Sequence, residues 1–241
     1  MAITSFVVGL ILMTTCIVSA QSGNDFTVPL SDPAKRGKLH ARINYGSITV
    51  KGTARKDVLV KYKSEQDSND KKEGSKDGLR RISGGGMDLE VVEDNNVVRV
   101  TSDSWNNKLN LEIEVPTGMD LEVKTYNDGD LMITNIQGGV ELTNYNGEIT
   151  ALNISGSVVA TTFNGGIKVT FNTLTADTPM SYSTYNGDID ITFPAATKAS
   201  MRMKTEQGDI YSGFDVDFKS SGPVQKKDTK PGVYKDRKSV V

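Results

Sequence analysis

The feature that most limits how this chain can fold is a short motif that recurs at a fixed interval in its middle. The motif is a glycine, any residue and then an aliphatic residue. Five copies begin nine residues apart, at Gly129, Gly138, Gly147, Gly156 and Gly165. Further copies begin at Gly46, Gly187 and Gly208. A fixed short period indicates a repeat architecture, because each unit must bury its apolar face against the next.

Every second turn of this series has its own composition. An aromatic residue and an asparagine precede alternate glycines, at Tyr126-Asn127, Tyr145-Asn146, Phe163-Asn164 and Tyr185-Asn186. The turns between them read Asn135-Ile136 and Asn153-Ile154 instead. The repeating unit is therefore eighteen residues long, with two strands and two turns.

Residues eighteen positions apart match in type, which favours a parallel β-solenoid. In a solenoid such residues stack on one another, whereas the strands of an antiparallel meander need only pair with their neighbours. The matched columns are Asn135 with Asn153, Ile136 with Ile154, Val140 with Val158, and Leu131 with Ile149 and Ile167. Right-handed coiling is the default for parallel crossovers. An antiparallel β meander stays the alternative, since Asn-Gly between apolar runs is also a hairpin signal.

The sequence outside this region also predicts strands and no helix. Alternating polar and apolar residues predict strands at 47–51, 57–63, 87–92, 97–101, 109–115 and 121–125. Residues 64–78 have no apolar side chain and are predicted to form a polar surface loop. We therefore predict an all-β fold and one β-strand-repeat domain over residues 21–216.

The N-terminus predicts export. Phe6 to Val18 is an uncharged run of apolar and small residues, and Val18-Ser19-Ala20 suits a signal peptidase. A bilayer span needs about 20 apolar residues, so this run is too short. We predict a secretory signal over residues 1–20 and no transmembrane span after its cleavage. The predicted location is the periplasm, the cell surface or the extracellular space.

Composition narrows the possible partners. The formal net charge is -2, which gives no basic field to attract nucleic acid. The only cysteine, Cys16, lies inside the predicted signal, so the mature chain has no thiolate nucleophile and no disulfide. No cofactor is predicted. Residues 217–241 are predicted to form a basic, disordered tail, with seven Lys or Arg against two Asp from Lys219 onward.

Catalytic and metal-binding patterns are weak. His40 is the only histidine, and no motif around it supports a catalytic triad. Carboxylates at or near turns could supply the acid and base of a glycan hydrolase or lyase, but they also suit solvated turns; they are Asp128, Asp130, Glu148, Asp188, Asp190 and Asp209. The turns lack the regular Gly-Gly-x-Gly-x-Asp of calcium-binding repeats, so no metal site is predicted.

Two sets of residues in the turns are the candidates for a role. The aromatic residues form a candidate binding stripe if they point outward, and a core stack if they point inward; they are Tyr126, Tyr145, Phe163 and Tyr185. We favour the inward stack, because regular ladders stabilise solenoids. Seven glycines are predicted to be structural turn residues, since glycine supplies the positive φ that tight turns need; they are Gly129, Gly138, Gly147, Gly156, Gly165, Gly187 and Gly208. Asn127, Asn146, Asn164 and Asn186 are predicted to serve the turn through the left-handed conformation and side-chain bonds to the backbone.

The order of three motifs resembles a known family. These motifs are 46–52 (GSITVKG), 111–118 (LEIEVPTG) and the Tyr-Asn-Gly-Glu/Asp-Ile repeats. Over roughly Asp25 to Phe214 the chain resembles the bacterial putative-adhesin family of β-strand-repeat envelope proteins, a domain of unknown function. The resemblance implies a β-helix-like fold, export and a surface or envelope role.

From these observations we predict a non-catalytic envelope or cell-surface protein, an adhesin or a scaffold, whose partner is a glycan or a protein. Two alternatives stay open. One is a carbohydrate-active enzyme or glycan-binding module on a β-helix. The other is a periplasmic accessory factor in envelope stress.

Overall fold

A computed structural model describes residues 19–21, 25–65, 89–195 and 197–215 of the 241-residue chain. The chain divides into two compact units, residues 1–193 and 194–241. In the described ranges the first unit consists of strands and connecting turns, with no helix. The described part of the second unit contains Gly208, whose φ is 150°, and an ion pair of 2.8 Å between Lys204 Nζ and Glu206 Oε1.

The strands follow one another closely along the first unit. They are β1 (Ser19–Gln21), β2 (Asp25–Pro29), β3 (Lys38–Tyr45), β4 (Ile48–Thr53), β5 (Asp57–Glu65), β6 (Leu89–Asp94), β7 (Val97–Ser102), β8 (Lys108–Pro116), β9 (Asp120–Asn127), β10 (Leu131–Thr134), β11 (Val140–Asn144), β12 (Ile149–Ile154), β13 (Val158–Asn164), β14 (Ile167–Phe171), β15 (Ser181–Asn186) and β16 (Ile189–Thr192).

These strands form two sheets. The first sheet has the order β1-β2-β5-β8-β4-β10-β12-β14-β16, and the second has the order β15-β13-β11-β9-β3-β7-β6. From β9 onward the chain alternates between the two sheets, and each strand pairs in parallel with the strand one coil away. The predicted parallel β-solenoid is confirmed, and the antiparallel meander is excluded for the repeats.

The register places the predicted columns on top of one another. Leu131 pairs with Ile149, which pairs with Ile167, and Val140 pairs with Val158. Alternation along each strand buries Leu131 and Ile133, while Met132 between them is 46% exposed. Because the inner residues of successive coils stack, one continuous aliphatic core runs through the repeats.

The early motif at Gly46 occupies a place that sequence order does not predict. The coil made of β3 and β4 lies between the coil of β7 and β8 and the coil of β9 and β10. Ile48 therefore pairs with Leu111 on one side and with Leu131 on the other. Four strands, β5 to β8, lie in the chain between β4 and β9, although the coil of β9 and β10 stacks directly on the coil of β3 and β4. The β3–β4 coil is therefore an inner coil of the solenoid, with a neighbour on each side.

Antiparallel pairs complete the sheets at the N-terminal end. In the first sheet β2 pairs with β1 and β5, and β5 pairs with β8. In the second sheet β6 pairs with β7.

Of the predicted polar loop at 64–78, Ser64 and Glu65 belong to β5, and the rest lies outside the described residues. Residues 1–18 of the predicted signal and the tail at 217–241 also lie outside the described residues. No helix in the described ranges is long and apolar enough to cross a bilayer.

Candidate functional site

The aromatic residues lie at one corner of the solenoid, where the strands of the second sheet end and the chain turns into the first sheet. We call this edge the aromatic corner; it comprises residues 44–47, 126–130, 145–148, 163–166 and 185–188. The strand pattern decides which side chains face outward here. Leu121, Val123 and Thr125 of β9 are buried, so the next residue, Tyr126, points away from the core.

Three rings of the corner form one continuous stack on the surface. The centroids of Tyr145 and Phe163 lie 5.0 Å apart with 4° between the ring planes, and those of Phe163 and Tyr185 lie 4.8 Å apart with 0°. The side chains are 49%, 38% and 74% exposed, in the order Tyr145, Phe163 and Tyr185. The favoured prediction of an inward core stack is wrong. The rings do stack, but outside the core.

Tyr126 departs from this stack. Its ring pairs with Trp105, from the loop between β7 and β8, at 6.1 Å and a tilt of 49°. Trp105 is itself 58% exposed, and sequence reasoning missed it because it lies outside the repeats. Within the stack, ring faces cover one another, so Phe163 presents its edge to solvent. Tyr145 has Phe163 on one face and no described ring on the other.

The asparagines of the corner form a second ladder beside the rings. Each side-chain Nδ2 donates to the Oδ1 of the asparagine one coil earlier: Asn146 to Asn127 at 3.1 Å, Asn164 to Asn146 at 2.8 Å and Asn186 to Asn164 at 2.8 Å. None of these four residues has a positive φ. The prediction that they adopt the left-handed conformation and bond the backbone is therefore wrong; they bond one another.

A polar column supports the corner from inside; Thr125, Asn144 and Thr162 are buried and Thr184 is half-buried. Four side chains donate to the carbonyl oxygen of a glycine in the neighbouring coil: Thr125 to Gly46, Asn144 to Gly129, Thr162 to Gly147 and Thr184 to Gly165. These glycine carbonyls do not belong to the hydrogen-bond ladders of the sheets. Because buried carbonyls need a hydrogen-bond donor, the side chains supply one. Asn144 Oδ1 is the buried side-chain atom without a partner among the described residues.

The glycines of the corner are required by close approach of the coils. A Cβ on Gly129, Gly147, Gly165 or Gly187 would overlap with the carbonyl oxygen of the glycine stacked against it. Gly147, Gly165 and Gly187 also have φ between 151° and 154°. Gly129 does not have a positive φ, nor do Gly138 and Gly156. At these three glycines, contact with the neighbouring coil rather than a positive φ excludes a side chain.

The first-sheet strands end at a second edge, which we call the plain corner; it comprises residues 135–139 and 153–157. Here Asn135 and Asn153 supply the left-handed conformation, each with φ 59°, and Asn153 Nδ2 donates to Asn135 Oδ1 at 3.1 Å. Ile136 and Ile154 point inward and are fully buried. Their side chains close the core at this edge.

One coil of the aromatic corner contains an extra residue. Three residues separate Tyr145 from Ile149, Phe163 from Ile167 and Tyr185 from Ile189, but four separate Tyr126 from Leu131. The insertion is Asp128, which has φ 48° and an ion pair of 3.0 Å with Lys108 Nζ. Beside it opens a cleft of about 710 Å³, lined by Ser47, Lys108, Asn110, Asn146, Gly147 and residues 127–130.

The first-unit carboxylates considered for catalysis are engaged in local structure or are spread along the solenoid. Asp128 pairs with Lys108, and Asp130 Oδ1 accepts a hydrogen bond of 2.8 Å from the Glu148 backbone N–H. Asp188 and Asp190 lie at β16, three coils away from Asp130. No cluster of three metal-ligating side chains occurs in the part of the chain that the structure describes.

His40 lies on the outer face of the second sheet, away from either corner. Its Nδ1 is 2.9 Å from Glu122 Oε2, and Lys38 and Lys124 contact the same carboxylate at 3.0 and 2.8 Å. The hydrogen bonds from Lys124 and Lys38 lower the pKa of Glu122 to about 2. Desolvation and the neighbouring lysines lower the pKa of His40. This is a surface charge network, and it places no nucleophile beside the histidine.

Comparison with known proteins agrees with this fold. The family model described as Toastrack DUF4097 matches residues 15–235. The chain belongs to this Toastrack family. The match confirms the predicted resemblance to a β-strand-repeat family of unknown function, and it covers both corners.

The other comparisons give one distant structure. The chain is similar to a crystal structure of a putative cell adhesion protein from Clostridium sporogenes, with 11% identity and a TM-score of 0.38. The likeness covers 71% of this chain and 99% of that one. No curated protein matches the chain.

Proposed function

We propose that this Toastrack protein is an exported, non-catalytic surface protein that acts in adhesion or as a scaffold, and that the aromatic corner is its contact surface. The observation that carries the proposal is the exposed stack of Tyr145, Phe163 and Tyr185. Soluble proteins expose contiguous apolar patches at sites of interaction. Aromatic side chains supply much contact area for little loss of conformational freedom.

The fold does not require rings at this position. At the plain corner the chain also turns from one sheet to the other, and it does so with a buried isoleucine in place of an exposed ring. At the aromatic corner, Thr125, Asn144, Thr162 and Thr184 already satisfy the glycine carbonyls from inside. The outward rings therefore add surface that the turn itself does not use, which supports a role in contact.

Export is supported by the sequence of the N-terminus. The uncharged run from Phe6 to Val18 precedes a triplet suited to a signal peptidase, Val18-Ser19-Ala20. A contact surface for envelope material is useful only beyond the cytoplasmic membrane. Cell fractionation with an N-terminal sequence of the mature chain tests this part of the proposal, and a chain that stays in the cytoplasm with its N-terminus intact would contradict it.

The contact surface is tested with a triple variant, Tyr145→Ser/Phe163→Ser/Tyr185→Ser. Purified mature protein is incubated with isolated envelopes of the host, which are then pelleted, and the bound fraction is measured against protein concentration. We expect the triple variant to lose at least about tenfold in affinity. A matched control, Val92→Ser/Met132→Ser, removes two side chains of 42% and 46% exposure that do not belong to the corner. Equal binding by the two variants would overturn the proposal.

A further inference from the structure

We propose that the cleft beside Asp128 binds a sugar unit of a linear carbohydrate, with the free face of Tyr145 as its stacking platform. This inference rests on the proposed contact function and specifies the ligand of one part of the aromatic corner. It follows from three properties of the cleft: mixed hydrogen-bonding groups with little net charge, a polarised amide chain that ends there, and an adjacent ring face that no described ring covers.

The cleft offers a neutral acceptor and a neutral donor beside its charged groups. Ser47 Oγ donates to Asn110 Oδ1 at 2.7 Å, and Asn110 Nδ2 donates to Glu65 Oε1 at 3.1 Å, so the hydroxyl oxygen of Ser47 is left as an acceptor. Asn127 Oδ1 accepts from Asn146, and Asn127 Nδ2 is the donor. Of the charged groups, Lys108 is paired with Asp128 at 3.0 Å. Asp130 is left with one carboxylate oxygen beyond the one that accepts from the Glu148 N–H. An anion would meet no unpaired cation in this lining, whereas a sugar hydroxyl, which both donates and accepts, matches a lining that offers acceptors at Ser47 and Asp130 and a donor at Asn127.

The asparagine ladder gives the cleft a direction. Every bond of the ladder runs the same way, from Asn186 through Asn164 and Asn146 to the Oδ1 of Asn127. Asn127 accepts at the end of this chain, so its Nδ2 is the terminal donor, and Asn127 lines the cleft. Successive hydrogen bonds polarise one another, which strengthens a terminal donor toward a ligand oxygen.

Tyr145 directly precedes two residues of the lining, Asn146 and Gly147, and in this proposal its ring is the apolar platform beside the cleft. Phe163 covers one of its faces at 5.0 Å, and the ring still keeps 49% of its surface exposed. Its other face is directed toward the coil of Tyr126, because the backbone N–H of Asn146 donates to the Tyr126 carbonyl at 3.0 Å. The same coil supplies residues 127–130 of the cleft. A sugar ring has C–H groups on its faces and hydroxyls at its rim, so it fits a ring face that adjoins a polar lining.

The cleft lies where the repeat is interrupted. The inserted Asp128 makes this turn one residue longer than the copies at Tyr145, Phe163 and Tyr185, and Asp128 is itself part of the cleft lining. Positions where a local rule of the sequence is broken are expected to be functional or strained sites. The glycines on either side, Gly129 and Gly147, leave the backbone of the cleft accessible.

The test titrates the mature chain with three soluble linear hexasaccharides, cellohexaose, chitohexaose and maltohexaose, by calorimetry. We expect at least one to bind. Deletion of Asp128 should weaken that binding at least about tenfold, and Tyr145→Leu should do the same, while Tyr145→Phe keeps it because the ring face is preserved. The matched control is Asn153→Ala, which removes the ladder amide at the plain corner and should leave binding unchanged.

The outcomes separate this inference from the proposed function. If no hexasaccharide binds up to millimolar concentration, or if Asn153→Ala weakens binding as much as the Asp128 deletion, the sugar site is overturned. In either case, loss of envelope binding by the triple ring variant still supports the contact surface. If a hexasaccharide binds and the Asp128 deletion abolishes it, while the triple variant pellets with envelopes like the wild type, the sugar site stands and the proposed function fails.

Discussion

The two corners of the solenoid solve the same folding problem with different residues. The plain corner turns on Asn135 and Asn153 in the left-handed conformation and buries an isoleucine in each copy. The aromatic corner turns on glycines, satisfies their carbonyls with a buried hydroxyl or amide, and places its aromatic residue outside. At the plain corner the bulky side chain is part of the core. At the aromatic corner it is not.

This difference separates residues that hold the coils together from residues that are free to contact a partner. From the repeat alone, the recurring rings of one corner and the recurring isoleucines of the other look equally structural. The burial of Ile136 and Ile154, set against the exposure of Tyr145 and Tyr185, shows that the rings lie outside the core that holds the coils together. Substitutions at the two corners should therefore differ in their effect on unfolding.

The largest effect is expected at the glycine column. In Gly147→Val the new Cβ would overlap with the Gly129 carbonyl oxygen and come within 2.7 Å of Asn144 Nδ2, and valine would have to adopt φ 153°. We expect a loss of more than about 3 kcal/mol in the free energy of unfolding, measured with denaturant. Gly118→Val is the control, since no atom lies within 4 Å of a Cβ built there. Equal losses would show that the coils do not approach at Gly147.

The next effect is expected at the plain corner. Ile154→Ala removes a fully buried side chain between stacked coils and should lower the free energy of unfolding by about 3 kcal/mol. Denaturant midpoints at constant slope measure the loss. A cost below that of Tyr145→Ala would contradict the division of roles between the corners.

A smaller effect is expected at the polar column. Thr162→Val keeps the shape of the side chain but removes the Oγ1 donor that lies 3.1 Å from the Gly147 carbonyl. The buried carbonyl then loses its partner, which should cost about 2 kcal/mol. Thr161→Val, on the exposed side of the same strand, is the control and should melt like the wild type. If the two variants melt alike, the column does not support the corner.

The smallest effect on stability is expected at the rings themselves. Tyr145→Ala removes one stacked partner of Phe163 on the surface and should cost less than about 1.5 kcal/mol. Thermal unfolding followed by circular dichroism measures this. A larger cost would place Tyr145 among the structural residues and weaken its assignment to contact.

Much of the fold could be predicted because stacking leaves its record in the sequence. Columns such as Leu131, Ile149 and Ile167 must match in type when they lie on one another in the core, so periodicity alone identifies them. The place of the β3–β4 coil could not be predicted this way. Its partners, β8 and β10, lie on opposite sides of it and far along the chain, and no local signal fixes such pairing.

The candidate site was only partly predictable. The ring residues were identified by their recurrence, and their outward direction was in fact available from alternation: if Leu121, Val123 and Thr125 face inward, Tyr126 cannot. The stack itself, the asparagine ladder and the role of Thr162 depend on distances between coils, which the sequence does not record. Asp128 is visible as one extra residue in its turn, but its consequence, an open cleft, appears only when the neighbouring coil is in place.

The claim that the aromatic corner is a contact surface is tested most directly by photo-crosslinking in living cells. A benzophenone analogue of phenylalanine replaces Phe163 in one strain and Met132 in another, and adducts are analysed after irradiation. Both positions are exposed to a similar degree, but only Phe163 belongs to the corner. We expect an adduct at 163 and none at 132. Adducts of equal yield at both positions, or none at 163, would contradict it.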